Sequence, residues 1–360
     1  MSERRDYLGM FNVLKGILML VIVWIHQESF ARGVLFSGSI QFPSVFRWAA
    51  GIMAVFFVIA GYQYRPARNI KVYIKNQLAS QLIPYGIAVA VSAMFLLIWH
   101  ILKPDLIHLW DIRMLVLGGL YGSEHNMEVM GVWVGGVMAL WFLPTYCLSG
   151  ILYQCIQRIS GQKCRMLAVW GLTLLGVSAP DNMKITLPFF AVQICTSQGF
   201  WEIGRILKEK KKLHRKLPLP FVLGSLVLVI WCHIFSASNM ASNIWKIWLV
   251  DYFAAAAFSV VVLRGYVRSN LGTARGTELL EYIGMYSMIF YCVHSVELLV
   301  IPWDRRLVQM IPFLGGQQIW GKVIQTLLIY ILRVALLLAV TALINSLRKK
   351  VYHFRTKRNR

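Results

Sequence analysis

Apolar stretches long enough to be helices of a membrane protein alternate along the chain with short polar and basic segments. Ten can be marked, near residues 11–30, 42–64, 78–101, 137–157, 166–179, 187–205, 218–236, 246–264, 282–303 and 323–346. Most approach the roughly 20 residues that an α-helix needs to cross a bilayer, the fifth being short. The pattern predicts an all-α polytopic membrane protein with about ten transmembrane helices.

Composition agrees. Of 360 residues, 58% are hydrophobic and 14% charged, whereas soluble domains carry about 25% charged residues. Soluble, disordered, collagen-like and disulfide-scaffold chains are excluded. No low-complexity linker or appended soluble domain interrupts the pattern, so residues 1–360 read as one membrane domain with a basic cytoplasmic tail from about residue 347. The six cysteines show no CxxC spacing and fall mostly in apolar runs, where buried thiols are expected.

The basic balance, 37 Lys and Arg against 15 Asp and Glu, changes the picture only through its distribution. With the N-terminus placed inside, 26 of the 37 fall in cytoplasmic segments and 8 in outer ones, the remaining three (Lys15, Arg47 and Arg333) lying within spans. That asymmetry orients both termini toward the cytoplasm. A nucleic-acid binder would gather its charge on a soluble face, so nucleic acid is excluded as a partner.

Ionisable residues inside spans are expensive and mark functional positions. The first helix holds Lys15 and His26, eleven residues apart. At 100° per residue they share one face, about 16 Å apart along the axis. That is close to the length of a pantetheine arm, so a coenzyme A thioester entering from the cytosol would keep its phosphates near Lys15 and its acyl group near His26. The alternative is a lysine snorkelling at a helix end and a histidine bonded within the bundle. Arg47, Asp251, His294 and Glu297 are expected at a similar depth to His26, in the outer third. Such a tier would form a polar cavity for a sugar, with a carboxylate orienting the catalytic imidazole; the alternative is a set of internal ion pairs. His100 and Asp105 have an H-x4-D spacing but no companion motifs, and read as coincidence. No metal-ligand spacing is present, and no metal is expected.

Several short motifs then fall in order. The chain carries Asn12, Lys15 and Gly16 followed by His26; Phe56, Phe57, Ala60, Gly61 and Tyr62; Leu82, Ile83, Pro84 and Tyr85; Leu140, Trp141, Phe142, Leu143 and Pro144; and Gly284, Ser287, Tyr291 and His294. Together these resemble acyltransferase family 3, the integral-membrane O-acyltransferases that modify bacterial surface glycans, and in particular its fucose-acetylase-like and intercellular-adhesin-biosynthesis-like members. Asn12 stands where the family usually has aspartate and Ala60 where it has serine. Gln77 and Gln81 stand where members often carry an arginine pair for the acyl donor, while Arg65 and Arg68 supply a similar spacing about ten residues earlier.

The resemblance implies acyl transfer, usually acetyl, from cytosolic acyl-CoA as co-substrate to a hydroxyl of a cell-surface glycan or lipid-linked sugar, in the cytoplasmic membrane of a bacterium. It implies His26 as general base, acting directly or through an acyl-histidine, with Lys15, Arg65 and Arg68 as donor contacts. Arg47, Asp251, His294 and Glu297 are acceptor-side or supporting candidates. Trp141 is expected to pack, with sugar stacking as the alternative. Expected partners are acyl-CoA, the glycan acceptor and membrane lipid, with homo-oligomerisation left open. A transporter or flippase for glycan intermediates, without chemistry, is the competing function.

Overall fold

The computed structural model describes residues 9–34, 50–105, 107–123, 126–179, 187–210, 213, 216–236, 238–301 and 319–358. Among the described residues it is all-α apart from one small hairpin. A helix occupies each of the ten apolar runs, and the chain divides into two compact units, one of Met1–Phe11 with Phe46–Ala274, the other of Asn12–Val45 with Arg275–Arg360.

The second unit holds α1 (Asn12–Val34) and, in the larger unit, the chain continues as α2 (Ala50–Gln63), α3 (Ile70–Gln77), α4 (Ile83–Leu102), α5 (Leu109–Tyr121), α6 (Phe142–Ile156), α7 (Gln162–Ser178), α8 (Ala191–Glu209), α9 (Leu219–Phe235) and α10 (Leu249–Arg268). It returns to the second unit as α11 (Glu278–Met285), α12 (Ser287–Val300) and α13 (Ile319–Arg358). The basic C-terminal segment therefore continues the last helix as far as Arg358. The outer segment predicted between the third and fourth runs contains α5 and a hairpin, β1 (Met127–Val129) with β2 (Val132–Val134), turning at Met130 and Gly131 with positive φ.

In the larger unit α2 is the hub. It has no polar residue until Gln63, and almost every side chain is buried. A helix apolar on all sides needs neighbours on all sides, and α8 and α10 pack against it. Contact with α8 is backbone to backbone: a Cβ on Gly61 would lie 1.9 Å from the Trp201 carbonyl oxygen, and one on Gly204 would lie 2.1 Å from that of Val58. Around this crossing, Phe57 and Phe142 meet edge to face at 5.4 Å, and Tyr153 stacks on Trp201 at 5.5 Å.

Helices α3 and α4 form one continuous rod, Ile70–Leu102, with a π-turn at Leu78–Leu82. Pro84 explains the turn, since it brings no N–H to the ladder and its ring crowds the preceding turn; the Ile83 N–H reaches back five residues to the Leu78 carbonyl. Much of α4 and α9 presents apolar side chains outward, among them Ile87, Phe95, Ile98, Val227 and Ile230. Apolar surface on this scale faces lipid.

Among the described residues, four helical segments are long and apolar enough to cross a membrane: Ile70–Leu102, Met138–Ile156, Leu249–Arg268 and Val323–Lys350. A fifth is the pair α11 and α12, which bends by 78° between Met285 and Ser287. The apolar run at 282–303 is thus two helices at an angle. The described cysteines are all free; Cys147 and Cys232 are buried as expected, whereas Cys155 and Cys164 are exposed.

In the second unit α11 lies directly on the start of α1. A Cβ on Gly284 would fall 1.7 Å from the Asn12 carbonyl oxygen, and one on Gly16 2.0 Å from that of Leu280. Farther along, Tyr330 of α13 donates to the Leu20 carbonyl at 3.1 Å and meets Trp24 edge to face. These contacts fix α1 against both neighbours.

Because the blocking atoms are backbone, Gly61→Ala, Gly204→Ala and Gly284→Ala are each expected to destabilise by about 1–3 kcal/mol or more. Gly224→Ala, where nothing lies within 4 Å, should be neutral or slightly stabilising. Thermal unfolding of the purified variants in detergent measures both.

Candidate active site

The 23-residue α1 runs unbroken past both Lys15 and His26, so the predicted separation of about 16 Å along one helix holds. Both side chains are half-buried. The ring centroid of His26 lies 5.2 Å from that of His294 on α12, tilted by 57°.

Behind this pair is a buried polar network. His294 is fully buried, and its Nδ1 is 3.1 Å from Glu297 Oε2, one helical turn on. Glu297 receives Arg333 from α13 along two edges: Arg333 Nε lies 2.7 Å from Oε1, and Nη2 donates to Oε2 at 3.1 Å. The third arm of the guanidinium, Nη1, donates to Gln27 Oε1 at 2.8 Å. Arg333 is only 1% exposed, and Gln27 is completely buried.

This geometry assigns protons. A carboxylate facing an arginine is an acceptor only, so the proton between it and His294 sits on Nδ1. In the neutral ring Nε2 is then an acceptor, and it has no hydrogen-bond partner among the described residues. Leaving a buried acceptor unpaired costs about 1–3 kcal/mol. His26 is the member of the pair that keeps contact with the surface.

The expected tier is thus divided. His294 meets His26 in one unit, with Glu297 behind it, so the carboxylate orients His294 and not His26. Asp251 belongs to the other unit, where Oδ2 is held by the Ser236 and Ser238 hydroxyls and by the Ile247 N–H at 2.8 Å. That arrangement ties down the loop leading into α10. Arg47 lies outside the described residues. Trp141 is buried, its ring 5.9 Å from that of Phe142 at 83° and 6.5 Å from that of Phe190. His100 is engaged with the Ile107 carbonyl, 2.7 Å from Nδ1.

Arg65 and Arg68 are exposed on the short segment between α2 and α3. That segment is held firmly: Lys208 Nζ donates to the Tyr64 carbonyl at 2.5 Å, Arg158 Nη2 donates to that of Ala67 at 2.9 Å, and Asn69 caps α3 through the Lys71 N–H. The two glutamines that stand in place of an arginine pair bond to each other across the π-turn, Gln81 Nε2 to Gln77 Oε1 at 2.9 Å.

Comparison with protein families matches the model described as "Acyltransferase domain", acyltransferase family 3, over residues 9–345. The chain belongs to acyltransferase family 3. This is a polytopic membrane family, and the protein is a transferase acting on acyl groups, which decides against transport without chemistry. No curated protein and no solved structure matches. The match covers α1 through most of α13, and so includes every member of the His26–His294–Glu297–Arg333–Gln27 assembly.

Two of those members are new to the site. In the sequence Arg333 counts only as a charge within a span, yet an intramembrane arginine is itself a signal of function. Gln27 gives no such signal, because an uncharged amide beside a histidine is ordinary.

Removing one partner of a buried ion pair strands the other, at a cost of about 3–5 kcal/mol. Arg333→Leu and Glu297→Leu should each destabilise the detergent-solubilised protein by that amount. The double variant is expected to lose less than the sum, and a thermal-unfolding double-mutant cycle reads the coupling.

Proposed function

We propose that this acyltransferase is a multi-pass enzyme of the bacterial cytoplasmic membrane, with about ten spans and both termini in the cytoplasm. It moves an acyl group, acetyl in the first instance, from cytosolic acyl-CoA to a hydroxyl of a cell-surface glycan or lipid-linked sugar. The observation that carries this reading is the half-buried His26, set on a helix face shared with Lys15 and backed by a buried imidazole–carboxylate–guanidinium network.

His26 is the general base. It takes the proton of the acceptor hydroxyl as the oxygen attacks the thioester carbonyl carbon; the carbon–sulfur bond breaks, and the proton passes to the departing thiolate, giving CoA and the O-acyl product. Lys15 is the donor contact of the unit that holds His26, and the exposed Arg65 and Arg68 are the donor-contact candidates of the larger unit. Gln77 and Gln81 satisfy each other and carry no charge, which leaves the phosphates to the arginines on the anchored segment before α3.

The test is acetyl-CoA-dependent release of CoA by the purified protein in detergent, wild type against His26→Ala. Slow release in the wild type, reduced by about 10²–10⁴-fold in the variant, is expected for loss of a general base. Neither release nor CoA binding in the wild type would refute the acetyl-CoA reading. Arg65→Glu with Arg68→Glu should raise the KM for acetyl-CoA by about tenfold, equivalent to about 1.4 kcal/mol, and leave kcat nearly unchanged.

A further inference from the structure

His294 presents an unusual combination: a fully buried ring, one nitrogen fixed by a carboxylate, and the other left as an acceptor with no partner among the described residues. The nearest imidazole is that of His26, at 5.2 Å between centroids. Ring nitrogens lie roughly 1.2 Å from their centroid, so at this separation a His26 nitrogen pointing at Nε2 along the line between the rings comes to about 2.8 Å, within hydrogen-bond range. His26 reaches the surface and His294 does not, which places any substrate on the far side of His26.

We infer that His294 is a positioning residue for His26. Nε2 accepts the N–H from one nitrogen of His26, which fixes the tautomer and leaves the other nitrogen as a lone pair facing the acceptor hydroxyl. When His26 takes the hydroxyl proton, the positive charge is stabilised through the His294 ring by the Glu297 carboxylate, which Arg333, itself anchored on Gln27, holds in place. The order is base, orienting imidazole, carboxylate, guanidinium. It is the logic by which a nucleophile's base is oriented by a third group, here built from residues on α1, α12 and α13. The catalytic consequence rests on the reading of His26 as the base; the tautomer control does not.

The device accounts for features that packing alone leaves unexplained. An apolar residue at 294 would avoid the unpaired acceptor, and Glu297 and Arg333 could neutralise each other without it. Gln27, next to His26 in sequence, ties α1 to the same guanidinium, so the ring that does the chemistry and the network that orients it share one anchor.

Three variants and two readouts test the inference. The full-length protein in detergent, with 15N-labelled histidine, reports the tautomer of each ring, His26→Gln and His294→Gln spectra supplying the assignments. The wild type should show His294 protonated at Nδ1 and His26 in a single tautomer. In His294→Leu, His26 should populate both tautomers, whereas His294→Gln keeps an acceptor oxygen and should preserve one. If the wild-type His294 carries its proton on Nε2, or if His26 is unchanged in His294→Leu, the inference is overturned, whether or not acyl transfer is detected.

Turnover supplies the second readout. With acetyl-CoA as donor, His294→Leu should lower kcat by about 100-fold with CoA affinity unchanged, and His294→Gln should recover at least tenfold of that loss. Equal losses in both variants, accompanied by weaker CoA binding, would mean a purely structural role and would also overturn it. Absence of CoA release in the wild type would instead count against the proposed function, leaving the tautomer measurement to decide the role of His294.

Discussion

A guanidinium that is almost wholly enclosed among apolar helices has to find its counter-charge and its hydrogen-bond acceptors within the protein. Arg333 finds them in Glu297 and Gln27, and the arrangement of its unit follows from that requirement. Three helices distant in sequence, α1, α12 and α13, converge on one side chain. The cost of desolvating a charge is several kcal/mol even after relaxation, so the three are held in a narrow range of registers. The His26–His294 pair is a product of that convergence.

Close packing of small residues provides the complementary constraint. Gly16 and Gly284 let α1 and α11 approach until their backbones touch, and Gly61 and Gly204 do the same for α2 and α8. Where no hydrophobic driving force separates helix from lipid, such contacts are what specify which helix faces lie together. The glycines set distances, and the buried charges set registers. Each acts where the other is weak, since an apolar side chain can slide along an apolar groove and an ion pair cannot.

Lys15 and His26 of α1 are treated differently by the fold. Toward its start, Lys15 remains half-buried on a helix pinned by α11. Farther along, His26 is backed by a network in which Glu297 Oε1 and Arg333 Nε meet as an ion pair at 2.7 Å, while the Nε2 of His294 and that of Gln27 have no hydrogen-bond partner among the described residues. A buried polar network that is almost complete draws attention to its incomplete positions. In the larger unit, by contrast, Asp251 and the π-turn glutamines are engaged locally, and their polarity serves loop and helix geometry.

The sequence by itself determined the class of protein, a helix in each of the ten apolar runs, the family, and the placement of Lys15 and His26 on one helix face; the helix Leu109–Tyr121 and the bend between Met285 and Ser287 were not in it. All that it determined depends on local properties: the length of an apolar run, the angular period of a helix, and short motifs in order. It also marked His294 and Glu297 as worth watching, because an ionisable residue in an apolar run is visible without knowing its neighbours. What it did not contain was pairing. The Gln27–Arg333 bond joins residues 306 positions apart, Glu297 turned out to face His294 and Arg333, and Asp251, expected at the level of His26, is held by hydroxyls in another unit. Which polar groups meet is decided by how helix faces pack, and that packing is fixed by backbone contact at a few glycines and by the need of one buried arginine for a partner. Neither condition is written in the periodicity of any single helix.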